Sequence, residues 1–288
     1  VILTNNFYEF STLENTPFDE ICHTVQSAFT NYYVVVRTTE PHLKLQHTVA
    51  NVDYANSIGV FAKEKLVGFL FMGFDYSEGR IAAYNAGAGI IENHRGKNLT
   101  KAMHEEFLKT DRAKNLERIY LEVIDKNIAA QRVYGKLGFK SNRQLESFNG
   151  RTLIKKLKRN SNLQYDIQPF DKAVIEPTWW DKKLTWSQSP NAMSRIATEL
   201  KSVCVFLDGV KVGYSVFNPE TGHIHQLAVS PDWRRNYIGS NLLKFTENQI
   251  ETHLNIINID SSNIALIGLM NYCGLQRFVS QYEMILDL

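Results

Sequence analysis

The sequence predicts two tandem α/β domains, each a sheet flanked by helices, divided as residues 1–158 and 159–288. Three observations carry this prediction. Residues 84–139 read as strand, polar turn, helix, strand and helix in that order. The second half of the chain repeats that order. The 288 residues, 44% hydrophobic and 11% aromatic, are enough for two cores of ordinary size but too many for one small domain.

In chain order, FYEFSTL reads as a first strand. Ile21, Val25 and Phe29 recur at helical spacing between Phe18 and Phe29. Asn31, Tyr32 and Tyr33 form a loop, and Leu43 to Val52 a second helix. GVFAKEKLVGFLFMGF reads as two strands around a polar turn at Lys63, Glu64 and Lys65. AAYNAGAGII is small or apolar throughout, as in a buried strand. ENHRGKNLT is a polar turn, after which Leu99, Met103 and Phe107 mark a helix. ERIYLEVI is the next strand, and NIAAQRVYGKLGF a short helix ending at Gly138. RQLESFNGRTLIKKL reads as a hairpin turning at Asn149-Gly150. The basic, polar stretch from Lys155 to Asn162 closes that strand and links the domains.

The repeat follows. Val205 to Phe217 echoes the strand pair, with Phe206, Val212, Gly213 and Tyr214 in the places of Phe61, Val67, Gly68 and Phe69. HIHQLAVSPDWRRNYIGSNLL echoes strand, turn and helix, with Arg234 in the place of Arg95. NIINIDSSNIALIGLMNYCGL echoes the later strand and helix, with Asn263 for Asn127 and Gly274 for Gly138.

A strand that feeds a basic, glycine-containing turn into a helix N-terminus is an anion site. The first N–H groups of the helix have no intrahelical partner, and its dipole favours negative charge there. The ordered motifs resemble those of the GNAT superfamily of acyl-CoA N-acetyltransferases. In that family an acyl-CoA loop has the pattern Q/R-x-x-G-x-G/A. A later N-x-x-A-x-x-x-Y-x-x-x-G-F segment supports the thioester and the leaving thiolate. Asn127, Ala130, Tyr134, Gly138 and Phe139 keep the second pattern. Arg95 and Gly96 keep part of the first, while Asn98 and Thr100 stand at the two glycine or alanine positions. The resemblance implies two GNAT-like domains, each a mixed, mostly antiparallel sheet splayed between its fourth and fifth strands. It implies acetyl-CoA as co-substrate, bound by Ala88, Gly89 and Ile90 at the strand end, by Arg95, Gly96, Lys97, Asn98, Leu99 and Thr100, and by Asn127.

Acetyl transfer to an amine needs a base for the amine, donors for the thioester oxygen and an acid for the leaving thiolate. Glu122 and Tyr134 stand twelve residues apart, Glu122 within Leu121-Glu122-Val123 and ahead of Asn127. The resemblance makes these the catalytic base and acid. Glu122 also interrupts an apolar strand, where a carboxylate is costly unless used or paired; a strand-end position facing water or paired with Lys126 is the structural alternative. Tyr84, His94 and Asp125 are further base candidates. Phe29, Tyr32 and Tyr33 either pack the core or shape the acceptor site. In the second half the same register falls on Asn258 and Met270, neither of which transfers protons at neutral pH. That half is therefore expected to be degenerate, although RRNYIGS keeps Arg234 and Gly239. Trp179, Trp180 and Trp186 form either an interface patch or an aromatic wall.

A net charge of +2 gives no case for nucleic acid. Cys22, Cys204 and Cys273 are too far apart for a metal motif, so no metal is expected, and their odd number fits a cytoplasmic protein. No apolar run approaches a membrane span, so no membrane partner is expected. The expected partner is a small-molecule or peptide amine; the acceptor and the oligomeric state have no readable code. Two other readings stand beside the enzyme: a regulatory module that holds acyl-CoA or another anion without turnover, and a chain whose C-terminal domain binds the cofactor.

Overall fold

The computed structural model describes residues 7–30, 32–34, 39–77, 79–154 and 162–288. Most of the expected linker, from Lys155 to Ser161, and Asn31 of the expected loop lie outside these. The chain divides into two compact units. The first is assembled from Val1–Asn142 and Tyr282–Leu288, and the second is Arg143–Gln281.

Unit 1 contains β1 (Glu9–Thr12), α1 (Phe18–Ala28), α2 (Glu40–Ala50), β2 (Ile58–Ala62), β3 (Lys65–Ser77), β4 (Arg80–Ile90), α3 (Leu99–Leu108), β5 (Arg118–Ile124) and α4 (Ile128–Lys136). Its strands lie in the order β1-β2-β3-β4-β5, and the last residues of the chain flank β5. There Leu288 donates its N–H to Glu117, and Arg118 pairs with Asp287. The ladders are antiparallel except β4 on β5, which is parallel. A parallel pair needs a crossover, and α3 supplies it.

Alternation along β3, shifted by one residue at a bulge at Val67, places a core on each face of the sheet. Val67, Leu70 and Met72 pack with Met103 and Phe107 of α3. Leu66, Phe69 and Phe71 pack with Ile21 and Val25 of α1 and Leu43 of α2. The ladder of β4 on β5 runs only from Ala82 to Asn85, opposite Arg118 to Leu121. At that point the pairing of β4 with β3 also shifts, Phe71 facing Gly87 while Met72 faces Asn85, so Ala86 is an extra residue in a bulge. Glu122 is the first residue of β5 beyond the last pair, where the two strands part.

Unit 2 begins within β6 (Lys140–Gly150) and contains β7 (Leu163–Pro169), α5 (Pro190–Arg195), β8 (Lys201–Leu207), β9 (Val210–Phe217), β10 (Ile224–Val229), α6 (Ile238–Glu247), β11 (Leu254–Asp260), α7 (Ile264–Tyr272) and the first half of β12 (Gln276–Asp287). β7-β8-β9-β10 form one antiparallel sheet, and β6 pairs antiparallel with β11. The expected hairpin at Asn149-Gly150 does not form. β6 runs unbroken through both residues, which face Asn255 and Leu254 of β11. Ladder partners far away in sequence outweigh the local turn preference of Asn-Gly.

Candidate active site

Two loops of equal length carry the anion-site geometry, one in each unit. In unit 1 a short 3₁₀ turn, Glu92–His94, leads into Arg95, Gly96, Lys97 and Asn98, and α3 starts at Leu99. Gly96 has φ 75° and Asn98 φ 59°. The pattern Q/R-x-x-G-x-G/A wants glycine at the fourth place because this position is left-handed; asparagine is the side chain that best tolerates it. In unit 2 the turn Pro231–Trp233 leads into Arg234, and the left-handed positions fall on Arg235 (φ 64°) and Tyr237 (φ 61°).

The leading arginine plays the same part in both loops. Arg95 donates from Nε to the Ile90 carbonyl (3.0 Å) and from Nη2 to the Ala28 carbonyl (2.8 Å). Arg234 donates from Nε to the Val229 carbonyl (3.1 Å) and from Nη2 to the Trp179 carbonyl (2.8 Å). Each guanidinium thus fastens its loop to the end of the preceding strand. Lys97 donates to the Tyr8 hydroxyl (2.8 Å) and lies over the Phe7 and Tyr8 rings. His94 bonds the same hydroxyl through Nδ1 (2.9 Å), so this base candidate belongs to the loop. Ala88, Gly89 and Ile90 close β4 opposite Leu70, Phe69 and Gly68. Thr100 lies in the first turn of α3.

Where β4 and β5 part, the Tyr84 hydroxyl donates to Oε2 of Glu122. Parallel register explains the contact: Tyr84 stands opposite Tyr120, and Glu122 is the next residue on that face. Burial and the adjacent carboxylate push the Tyr84 phenol well above its ordinary range. It stays protonated, acting as a donor to Glu122 rather than as a base in its own right.

Tyr134, on α4, is 8% exposed. Burial pushes its phenol up to about 12; the Tyr32 phenol adds to this and a hydrogen bond with the Asn85 side chain opposes it. Asn127 caps α4, its Oδ1 accepting from the Ala130 N–H (3.1 Å) while Nδ2 donates to the Tyr32 hydroxyl (3.4 Å). Asn263 caps α7 in the same way. Tyr32, which bonds Asn127, packs edge-on against Phe29 and Tyr33.

The sequence reading missed Asn85 and His104. Both are buried. The Asn85 Nδ2 bonds His104 Nε2 (3.2 Å), and its Oδ1 accepts from the Gly87 N–H (3.0 Å). His104 bonds the Thr100 carbonyl through Nδ1 (2.8 Å), and its ring packs edge-on against Tyr134. Burial holds the imidazole down at about 4, so it is neutral at pH 7. A detectable signal was available: each interrupts an apolar pattern, Asn85 in a buried strand and His104 beside Met103 on a core-facing helix.

In unit 2, Asn258 is buried in a bulge of β11 and accepts from Gln281 (2.8 Å), and Met270 is buried on α7. The β10 loop, α6 and α7 surround a cavity of about 590 Å³. Trp179 and Trp180 line it with Arg235 and Tyr237, and Trp180 donates to the Tyr214 hydroxyl (2.8 Å). Of the expected tryptophan group, these two form an aromatic wall within unit 2. Among the described residues, no group of His, Cys, Asp and Glu could hold a metal ion, and no helix is long and apolar enough to cross a membrane.

Unit 1 thus holds a parting of β4 and β5 with a carboxylate at it, a basic loop at a helix N-terminus and a buried phenol, the arrangement expected of an acyltransferase. The profile of the Acetyltransferase (GNAT) family matches residues 20–139 and again 165–275, and the chain belongs to that family, as a tandem member. A curated relative, the spermine/spermidine N(1)-acetyltransferase of Bacillus subtilis (strain 168), is 31% identical over 112 residues, covering 36% of this chain and 72% of the relative. Among solved structures, a tandem GNAT protein from the clavulanic acid biosynthesis pathway aligns with TM-score 0.72 at 11% identity, covering 97% of this chain and 98% of that one. A GCN5-related N-acetyltransferase from Sphaerobacter thermophilus aligns with TM-score 0.73 at 12% identity, covering 99% and 97%. At these identities the structural likeness concerns the fold.

Proposed function

We propose that unit 1 transfers an acetyl group from acetyl-CoA to a primary amine in one direct step. The observation that carries this is the asymmetry between units. Unit 1 has a carboxylate where its strands part and a buried phenol twelve residues on, whereas unit 2 has Asn258 and Met270 at those places. The loop at residues 95–100 fits the co-substrate: Gly96 has open space where a side chain would stand, and the N–H groups at the start of α3 suit a pyrophosphate. Arg95 holds the loop, Lys97 adds positive charge beside it, and Asn127 fixes the start of α4.

In this mechanism Glu122, oriented by Tyr84, takes the proton that the amine loses as it attacks. Tyr134 gives its proton to the sulfur as the carbon–sulfur bond breaks. The named activity of the curated relative makes polyamines the first acceptors to test, with amino acids, aminoglycosides and peptide N-termini beside them. Release of free thiol from acetyl-CoA across that panel is the assay. Thiol release with an amine, absent in Tyr134→Phe, supports the proposal; tight acetyl-CoA binding without release from any amine favours the regulatory module.

One observation favours a second reading, in which unit 2 holds the co-substrate. Its cavity of about 590 Å³ falls in the size range of small-molecule sites and adjoins the N-terminus of α6. Calorimetry with acetyl-CoA distinguishes the two. Loss of affinity in Gly96→Pro assigns binding to unit 1, and loss only in Gly239→Pro assigns it to unit 2.

A further inference from the structure

The hydrogen bonds beside Tyr134 fix the His104 tautomer and the orientation of the Asn85 amide. His104 Nδ1 faces the Thr100 carbonyl at 2.8 Å. A carbonyl only accepts, so that nitrogen carries the proton and Nε2 presents a lone pair. The Asn85 group facing Nε2 must therefore be the amide NH₂. The Gly87 N–H on the amide oxygen (3.0 Å) fixes the same orientation independently. An NH₂ group has two hydrogens; one goes to His104, and the other is available to the Tyr134 phenol, whose ring packs edge-on against His104 and whose proton affinity the Asn85 side chain lowers.

We propose that His104 and Asn85 are positioning residues for Tyr134, holding its phenol oxygen as an acceptor so that its own proton is presented to the leaving sulfur. This rests on the assignment of Tyr134 as the acid. The carbon–sulfur bond breaks with its electron pair on sulfur, a sulfur–hydrogen bond forms as the Tyr134 O–H breaks, and the phenolate left behind regains a proton from water. During that interval the Asn85 N–H faces a phenolate, where the hydrogen bond strengthens because its acceptor is charged. In the reversed amide orientation, the amide oxygen would compete for the phenol proton, and Tyr134 would be a poor acid. The chain also ties the acid to the first turn of α3, where Thr100 supplies the anchoring carbonyl.

The test uses full-length protein and an amine that supports turnover. His104→Leu and Asn85→Leu should lower kcat by roughly 10- to 100-fold with KM for acetyl-CoA little changed. His104→Gln, which can accept through its amide oxygen and donate through its amide nitrogen, should recover most of the loss. In a Tyr134→Phe background, His104→Leu should cost nothing further, because its effect passes through the phenol. Nitrogen-15 NMR of the wild type should show His104 as the neutral Nδ1–H tautomer. An Nε2–H tautomer overturns the proposal even if no variant folds. Equal losses from His104→Leu with and without the Tyr134 hydroxyl also overturn it, by reducing His104 to a packing residue. Full kcat in Tyr134→Phe removes the acid assignment itself, a separate and distinguishable failure.

Discussion

His104 gives the structure a measurable dependence on pH. The imidazole is 2% exposed, and burial lowers it from 6.5 to about 4. In the unfolded chain it protonates near 6.5, so the unfolded state binds the proton first as pH falls. The stabilisation is present in full above about pH 6.5 and is lost progressively down to about pH 4. Over the whole interval the difference amounts to roughly 3 kcal/mol, and between pH 7 and pH 5 to about 2 kcal/mol. His47, buried against Phe71 and also lowered to about 4, adds a similar amount in the same unit. The comparison that isolates His104 is with His104→Gln, which can keep both hydrogen bonds but does not titrate. Urea unfolding of both proteins at pH 7 and pH 5 should show the variant losing about 2 kcal/mol less. Equal losses in the two proteins would refute the reasoning, because a solvated His104 ionises alike in both states.

Three further outcomes are expected. Tyr134→Phe should lower kcat by ~10²–10⁴-fold with acetyl-CoA affinity nearly intact, while Met270→Ala should lower stability by about 2–5 kcal/mol in unit 2 and leave kcat unchanged; steady-state kinetics beside thermal unfolding reads both. Gly96→Pro replaces a φ of 75° by one near −65° and removes an N–H, so calorimetry should show acetyl-CoA affinity falling at least about tenfold in a protein that remains folded. Tyr237→Asn should stabilise unit 2 by up to about 1 kcal/mol in denaturant melts, because asparagine accepts the left-handed conformation more readily than tyrosine.

The fold was legible where the pattern is local. The apolar runs on either side of the polar turn at Lys63, Glu64 and Lys65 announced two strands, and the spacing of Leu99, Met103 and Phe107 announced α3. Pairing between distant segments was not legible. Nothing in RQLESFNG says that β11 will extend its ladder through Asn149 and Gly150, and nothing in the repeat says that Tyr282–Leu288 belong with unit 1. The site shows the same boundary. Glu122 and Tyr134 stand in motif positions, but the hold of Tyr84 on Glu122 depends on parallel register across residues far apart in sequence. Asn85 and His104 meet only because β4 and α3 pack on each other, and no spacing rule joins a strand residue to a helix residue nineteen positions later.

The two loops explain why a duplicated fold need not hold two equal sites. Each requires a left-handed residue at two places, and unit 1 fills them with Gly96 and Asn98. Its departure from the motif is therefore milder than the letters suggest, since Asn98 meets the conformational demand that the glycine served. What unit 1 gives up is a small residue at Thr100, and the carbonyl of that residue is the one that anchors His104. Unit 2 made the opposite trade. It keeps Gly239 near the start of α6, where a side chain would press on Leu269 at 3.2 Å, but carries its left-handed strain on Arg235 and Tyr237. Strain of that kind persists where the surroundings impose it, and both residues line the aromatic cavity. Unit 1 thus has the loop conformation together with a carboxylate and a phenol able to exchange protons, while unit 2 has the loop conformation beside a cavity and, at the positions corresponding to Glu122 and Tyr134, Asn258 and Met270, which cannot move a proton.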